Sequence, residues 1–159
     1  DPEAPDGKPV TAKWKEWLGQ AYLFWSPHPW VALRAQYVYE KQERAEELTL
    51  GYKELETHRV PLGIGFFHPS GFSAGVTATY WKQKGQFEDF SQPGFFAGRD
   101  DFWTVDAALS YRLPKRYGII SVGARNLFDT KFQYYGTDFR SPMIQPERTI
   151  FARLSLALQ

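Results

Sequence analysis

Seven stretches of this sequence alternate apolar and polar residues with a period of two, and no other feature constrains the fold as strongly. The clearest runs from Trp30 to about Gln42, where Val31, Leu33, Ala35, Tyr37 and Tyr39 interleave with Ala32, Arg34, Gln36 and Val38. Successive side chains of a strand point to opposite faces, so the pattern predicts a sheet with one greasy and one polar side. Comparable patterns cover about Trp14–Trp25, Leu55–Phe67, Phe72–Lys84, Phe102–Arg112, a stretch from Tyr117 with a register slip expected around Asn126, and Arg148–Leu158. In the fourth, Phe72, Ala74, Val76, Ala78 and Tyr80 oppose Ser73, Gly75, Thr77, Thr79 and Trp81. In the fifth, Trp103, Val105, Ala107, Leu109 and Tyr111 oppose Thr104, Asp106, Ala108, Ser110 and Arg112.

The connections divide into two kinds. Ser26-Pro27-His28-Pro29, His68-Pro69-Ser70-Gly71 and Leu113-Pro114-Lys115-Arg116 read as tight turns, whereas the second, fourth and sixth connections are longer and polar or glycine-rich. Short turns therefore fall at one end of the predicted sheet and long loops at the other, the asymmetry of outer-membrane barrels. No apolar run approaches the roughly 20 residues of a membrane helix. A barrel span survives that test, because its strands carry polar residues at alternate positions. The aromatic share of 18% is high, and its rings cluster near the ends of the apolar stretches. Such amphipathic rings suit a hydrocarbon–water boundary, so Trp17, Trp25, Trp30, Tyr37, Tyr39, Tyr80, Trp103 and Tyr111 are expected as membrane-interface aromatics.

Alternation alone leaves open whether the greasy face meets lipid or forms the core of a soluble lipocalin-like barrel. The belt and the loop asymmetry favour lipid, which makes the other face a lumen lined by Arg34, Gln36, Thr77, Thr79, Asp106, Arg112, Arg125 and Arg153. Among these, a salt-bridge ladder of Arg34, Asp106, Arg112, Arg125 and Arg153 and a polar channel lining predict the same residue types. A net charge of +1 gives no pull toward nucleic acid, and the lack of cysteine excludes disulfides and thiolate metal sites. His28, His58 and His68 are too scattered for zinc, and Glu88-Asp89 and Asp100-Asp101 read as solvated loop charge rather than calcium ligands. No nucleophile–base order and no phosphate-cradling glycine loop stands out, so no catalytic residue, metal or cofactor is assigned.

Two segments carry a resemblance. Ser121-Val-Gly-Ala-Arg-Asn-Leu-Phe-Asp129 is similar to the "v-x-N-L-F-D" segment near the end of TonB-dependent receptor barrels, and Ile144-Gln-Pro-Glu-Arg148 with the stretch to Leu158 resembles the closing "P-x-R" and final strand. Phe102–Arg112 fits the preceding strand. The likeness covers the last third of the chain and is closest to receptor-like barrels that follow tetratricopeptide repeats. It implies a final strand read by the barrel-assembly machinery through Leu154, Leu156 and Leu158, although Gln159 stands where the family usually ends in Phe. No plug or energy-coupling box is visible, so energised uptake is not carried over.

The sequence thus leads us to expect an all-β, antiparallel transmembrane barrel segment over residues 14–159, preceded by an extracellular loop or linker over residues 1–13. The chain starts at Asp1 without Met or a signal peptide, as an excised or processed piece does. Seven strands cannot close antiparallel, because the first and last run the same way, so the segment is expected to belong to a larger barrel. The expected activity is solute passage through a polar lumen in the outer membrane of a Gram-negative bacterium, with lipid, lipopolysaccharide, the assembly machinery and the remaining strands of a parent protein as partners. A structural or adhesive module acting through its long loops, and a soluble ligand-binding barrel, are the alternatives.

Overall fold

The computed structural model describes residues 13–44, 52–88, 94–132 and 147–157. They form one seven-stranded antiparallel sheet: β1 (Trp14–His28), β2 (Val31–Arg44), β3 (Tyr52–Phe67), β4 (Phe72–Glu88), β5 (Phe95–Arg112), β6 (Gly118–Arg125) and β7 (Thr149–Leu156). Each strand pairs with its sequence neighbours, and β1 and β7 are the edges of an open sheet. The expected all-β antiparallel architecture is therefore present, with no α-helix among the described residues. Most of the linker expected over residues 1–13, Leu158 of the proposed assembly signal, and Asp89 lie outside the described residues.

The turns show why the meander holds its register. Pro29 and Trp30 alone connect β1 to β2, and Ser26-Pro27-His28, expected in the turn, instead continue β1 through a register shift between Trp25 and His28. A proline cannot donate to the ladder, and such an irregularity accommodates it. Between β3 and β4 the His68 backbone N–H donates to the Phe72 carbonyl, and Gly71 takes φ +99°, where a side chain would press on the Arg112 carbonyl. A single 3₁₀ turn, Pro114–Arg116, joins β5 to β6.

At the opposite end β3, β4 and β5 run well beyond their expected limits, to lengths of 16, 17 and 18 residues. Phe95–Asp101, anticipated as loop, is strand: Asp101 pairs with Lys82 and Asp100 with Gln83. The two aspartates therefore point to opposite faces and cannot share a cation.

The cross-strand pairs align the apolar positions of all seven strands on one face. One row reads Trp25, Leu33, Ile64, Val76, Ala107, Ala124, Ile150 without interruption, and the next reads Val31, Phe66, Ala74, Leu109, Val122, Ala152. A one-residue slip in any strand would break this continuity, so the common face fixes the register of the whole sheet.

Candidate functional site

The apolar face is uncovered. Leu23 (64%), Ile64 (52%), Leu109 (59%) and Leu154 (60%) retain most of their accessible surface, as do many neighbours on that face. The buried strand residues Val38, Leu55, Thr57, Thr79, Gln83 and Phe102 all sit on the other face, by their cross-strand pairing with one another and with Arg34's side of the sheet. The buried strand residues thus lie opposite the continuous apolar rows.

Aromatic rings bound the apolar band at both ends. On the long-loop side Tyr80 and Trp103 are paired, with ring centres 5.3 Å apart, and Tyr37 and Tyr39 flank His58. On the short-turn side Phe72 packs on Tyr111 at 4.6 Å, and Trp30 meets Phe66 and His68 edge-on. Trp25 lies on the band beside Leu33, and Trp17 lies beyond it under the Lys41 ammonium at 5.4 Å. Of the expected interface aromatics, Tyr37, Tyr80 and Trp103 lie at the long-loop end of the band and Trp30 and Tyr111 at the short-turn end, while Trp25 lies within it and Tyr39 and Trp17 beyond it. Tyr80 is eight residue steps from Phe72 on β4, about 27 Å along the strand.

One row beyond the upper belt, at Gly19, Tyr39, His58, Lys82 and Asp101, the polarity of the sheet inverts. The outer face becomes charged. Lys41 bridges Glu43 (2.8 Å) and Glu54 (3.0 Å), Lys84 meets Glu56 (3.1 Å), and Arg99 meets Asp101 (3.4 Å). Hydrogen bonds to Glu43 and Glu54 hold the Lys41 ammonium well above its ordinary pKa. Burial pushes the Glu56 carboxyl up, but bonds from His58 and Lys84 outweigh it and keep the group below its ordinary value. On the inner face of the same strands, Tyr52, Leu55 and Phe87 form a small core, with the Tyr52 hydroxyl donating to Gln42 and Gln83 to Thr57 (3.0 Å). Farther down that face, Arg59 lies over Trp81 and Phe132 stacks on Phe102 at 4.2 Å.

The lumen candidates all occupy the polar face. Arg34 reaches over Gly63 to donate to the Thr77 hydroxyl at 3.1 Å. Gln36, Arg34, Arg112, Arg125 and Arg153 retain access, whereas Thr79 is buried and lines nothing open. The expected salt-bridge ladder does not form. No ion pair joins Arg34, Asp106, Arg112, Arg125 or Arg153 among the described residues; Asp106 instead accepts the Asn126 backbone N–H at 2.9 Å. The strand pairing explains this, since Asp106 of β5 stands beside the end of β6, where the chain must turn and the Asn126 peptide N–H needs an acceptor.

That turn gives the Asn-Leu-Phe-Asp segment a physical role. Asn126, buried and at φ +46°, pairs its amide with both the N–H and the carbonyl of Thr130, each at 3.0 Å. Asp129 then accepts the Arg148 N–H at 2.8 Å, at the entry to β7, which lowers its pKa. Lys131 bridges Asp129 and Glu147, and the Glu147 bond raises the lysine. The segment clamps β6 to β7.

Each histidine has a local partner: His28 accepts from Trp30 N–H, His58 lies between Tyr37 and Glu56 (2.8 Å each), and His68 pairs with Ser70 (2.7 Å). Among the described residues no three metal-ligating side chains converge, and no helix is long and apolar enough to cross a membrane. Leu154 and Leu156 lie exposed on the apolar face of β7. Comparison with family models, with curated proteins and with solved structures finds no match.

Proposed function

We propose that this chain is a segment of an outer-membrane β-barrel of the TonB-dependent receptor-like kind, with its apolar face in lipid and its polar face lining a lumen through which solute passes. The observation that supports the reading is the pairing of an exposed apolar band, bounded by two aromatic belts, with burial confined to the opposite face. In hydrocarbon the open edges at β1 and β7 require partner strands, so the reading includes the remaining strands of a parent barrel. Leu154 and Leu156, with Leu158, supply the alternating signal for the assembly machinery.

The experiment is flotation of the chain, refolded together with the remaining strands of its parent barrel, with phospholipid vesicles, followed by conductance across a planar bilayer. Co-flotation with stepwise conductance is expected. A monodisperse, detergent-free monomer that stays at the bottom of the gradient contradicts membrane residence. Flotation without conductance favours instead a structural module acting through its long loops, whose platform is the ion-paired outer face of the β2–β5 extensions.

A further inference from the structure

The two ends of the sheet treat their charges differently. At the long-loop end Lys41, Lys84, Arg99 and Lys131 each meet an acid. On the polar face at the short-turn end Arg112 and Arg153 are exposed, and neither has an ion pair among the described residues. Both line one open hollow of about 530 Å³, together with Ser73, Ser110, Ser121 and Ser155.

Register explains the convergence. Ser73, Ser110, Ser121 and Arg153 form a continuous row across β4 to β7, and Arg112, Ile119 and Ser155 form the row beside it. Ser110 donates to Ser121 at 2.8 Å, which spends one hydroxyl proton and leaves the Ser121 proton free to point into the hollow. No carboxylate lines the hollow. Two guanidinium groups with adjoining hydroxyl donors and no competing acid are the chemistry that captures a phosphate or carboxylate.

We infer that this hollow is an anion-binding site for a phosphate- or carboxylate-bearing solute. It deepens the lumen reading, because a solute crossing the polar face would meet the arginines at the short-turn end. Its ligand is a dissolved anion rather than a lipid headgroup, since the arginines and serines that would hold it lie on the face opposite the apolar band, with Phe72 of that band closing only the rim of the hollow.

The test uses the whole chain in detergent at low ionic strength, with inorganic phosphate as the probe, titrated calorimetrically. Saturable binding is expected, about tenfold weaker in Arg112→Gln or Arg153→Gln and unchanged in Lys84→Gln, which alters a paired cation on the other face. A second measurement needs no variant: phosphate is expected to protect Arg112 and Arg153, but not Arg99, from phenylglyoxal as read by peptide mass. No saturable binding, equal affinity in the double glutamine variant, or equal protection of all three arginines overturns the site. Binding that persists when the vesicles fail to capture the chain sinks the membrane reading alone; membrane insertion without binding sinks the site alone. Vesicles rich in phosphatidylglycerol that compete with inorganic phosphate for the same arginines would assign the ligand to a headgroup and overturn the solute assignment.

Discussion

Residues 72–80 and 82–88 belong to one strand, share one hydrogen-bonded ladder, and obey opposite rules. In the first part of β4 the outward residues Phe72, Val76 and Tyr80 are apolar and the inward ones small or polar. In the second, Lys82 and Lys84 point outward into charged rows while Gln83 and Phe87 are buried inward against Thr57 and Tyr52. The backbone is indifferent to the change. On the proposed membrane reading, what changes is the solvent each part is built for: the upper half follows the rule of water-soluble β-structure, and the lower half reverses it. The inversion occurs across a single row, next to Tyr80 and Trp103, where aromatic rings suit a boundary between two media.

The largest expected effect breaks the lower rule. Val76→Arg is predicted to impair insertion by about 2–4 kcal/mol, and Leu33→Arg in the same row similarly, whereas Thr77→Arg on the polar face is tolerated. Folding into vesicles against a urea series measures both, and equal losses at 76 and 77 would refute the assignment of faces. Leu55→Ala breaks the upper rule. It removes a side chain that is 1% exposed, and a loss of about 2–3 kcal/mol is expected, toward the low end for leucine because the surrounding core is small. Hydrogen exchange should speed up in the β2–β4 extensions and stay unchanged in residues 72–80; uniform acceleration would mean that the two halves are one cooperative unit.

A smaller effect tests the clamp at the entry to β7. Asn126→Ala removes both bonds to Thr130 and should cost about 1–2 kcal/mol, with faster exchange in β7 and none in β2. The smallest concerns the charged rows. Because Glu56 is held below its ordinary value of 4.5, its contribution is complete above that value and is lost as pH falls through the lower folded-state pKa. Lys41 has the opposite sign: its contribution holds below 10.5 and fades only as pH rises toward the higher folded value. Acidification from neutrality should therefore loosen the β2–β4 extensions slightly and leave the apolar band untouched, and Glu56→Gln should remove that component of the pH dependence.

The lower half was legible from sequence because one apolar face repeated over seven strands leaves only one register in which it is continuous. The upper half was not. In Phe95–Asp101 the Gly98 and the adjacent aspartates carry loop chemistry, and the apolar positions shift to the other face beyond Asp101, so the period breaks where it inverts. Tyr52, Leu55 and Phe87 are dispersed among glutamates, lysines and glutamines, and only the pairing of β3 with β4 unites them. The arginines share the face that the alternation gives them, but their lack of acidic partners depends on the turn at Asn126, whose backbone N–H takes the Asp106 carboxylate.

The central claim is that one face of β4 changes medium at Tyr80. The sequence contains no cysteine, so single cysteines from 72 to 88 accept nitroxide labels without background. Oxygen concentrates in hydrocarbon and a nickel chelate in water, and their relaxation effects in vesicles report each position. The account predicts a period-two alternation over residues 72–80, with oxygen highest at the even positions and nickel at the exposed odd ones, followed beyond Tyr80 by nickel access at 82 and 84 and protection from both at 83 and 87. Oxygen maxima at the odd positions, or a flat profile through residue 80, would contradict it.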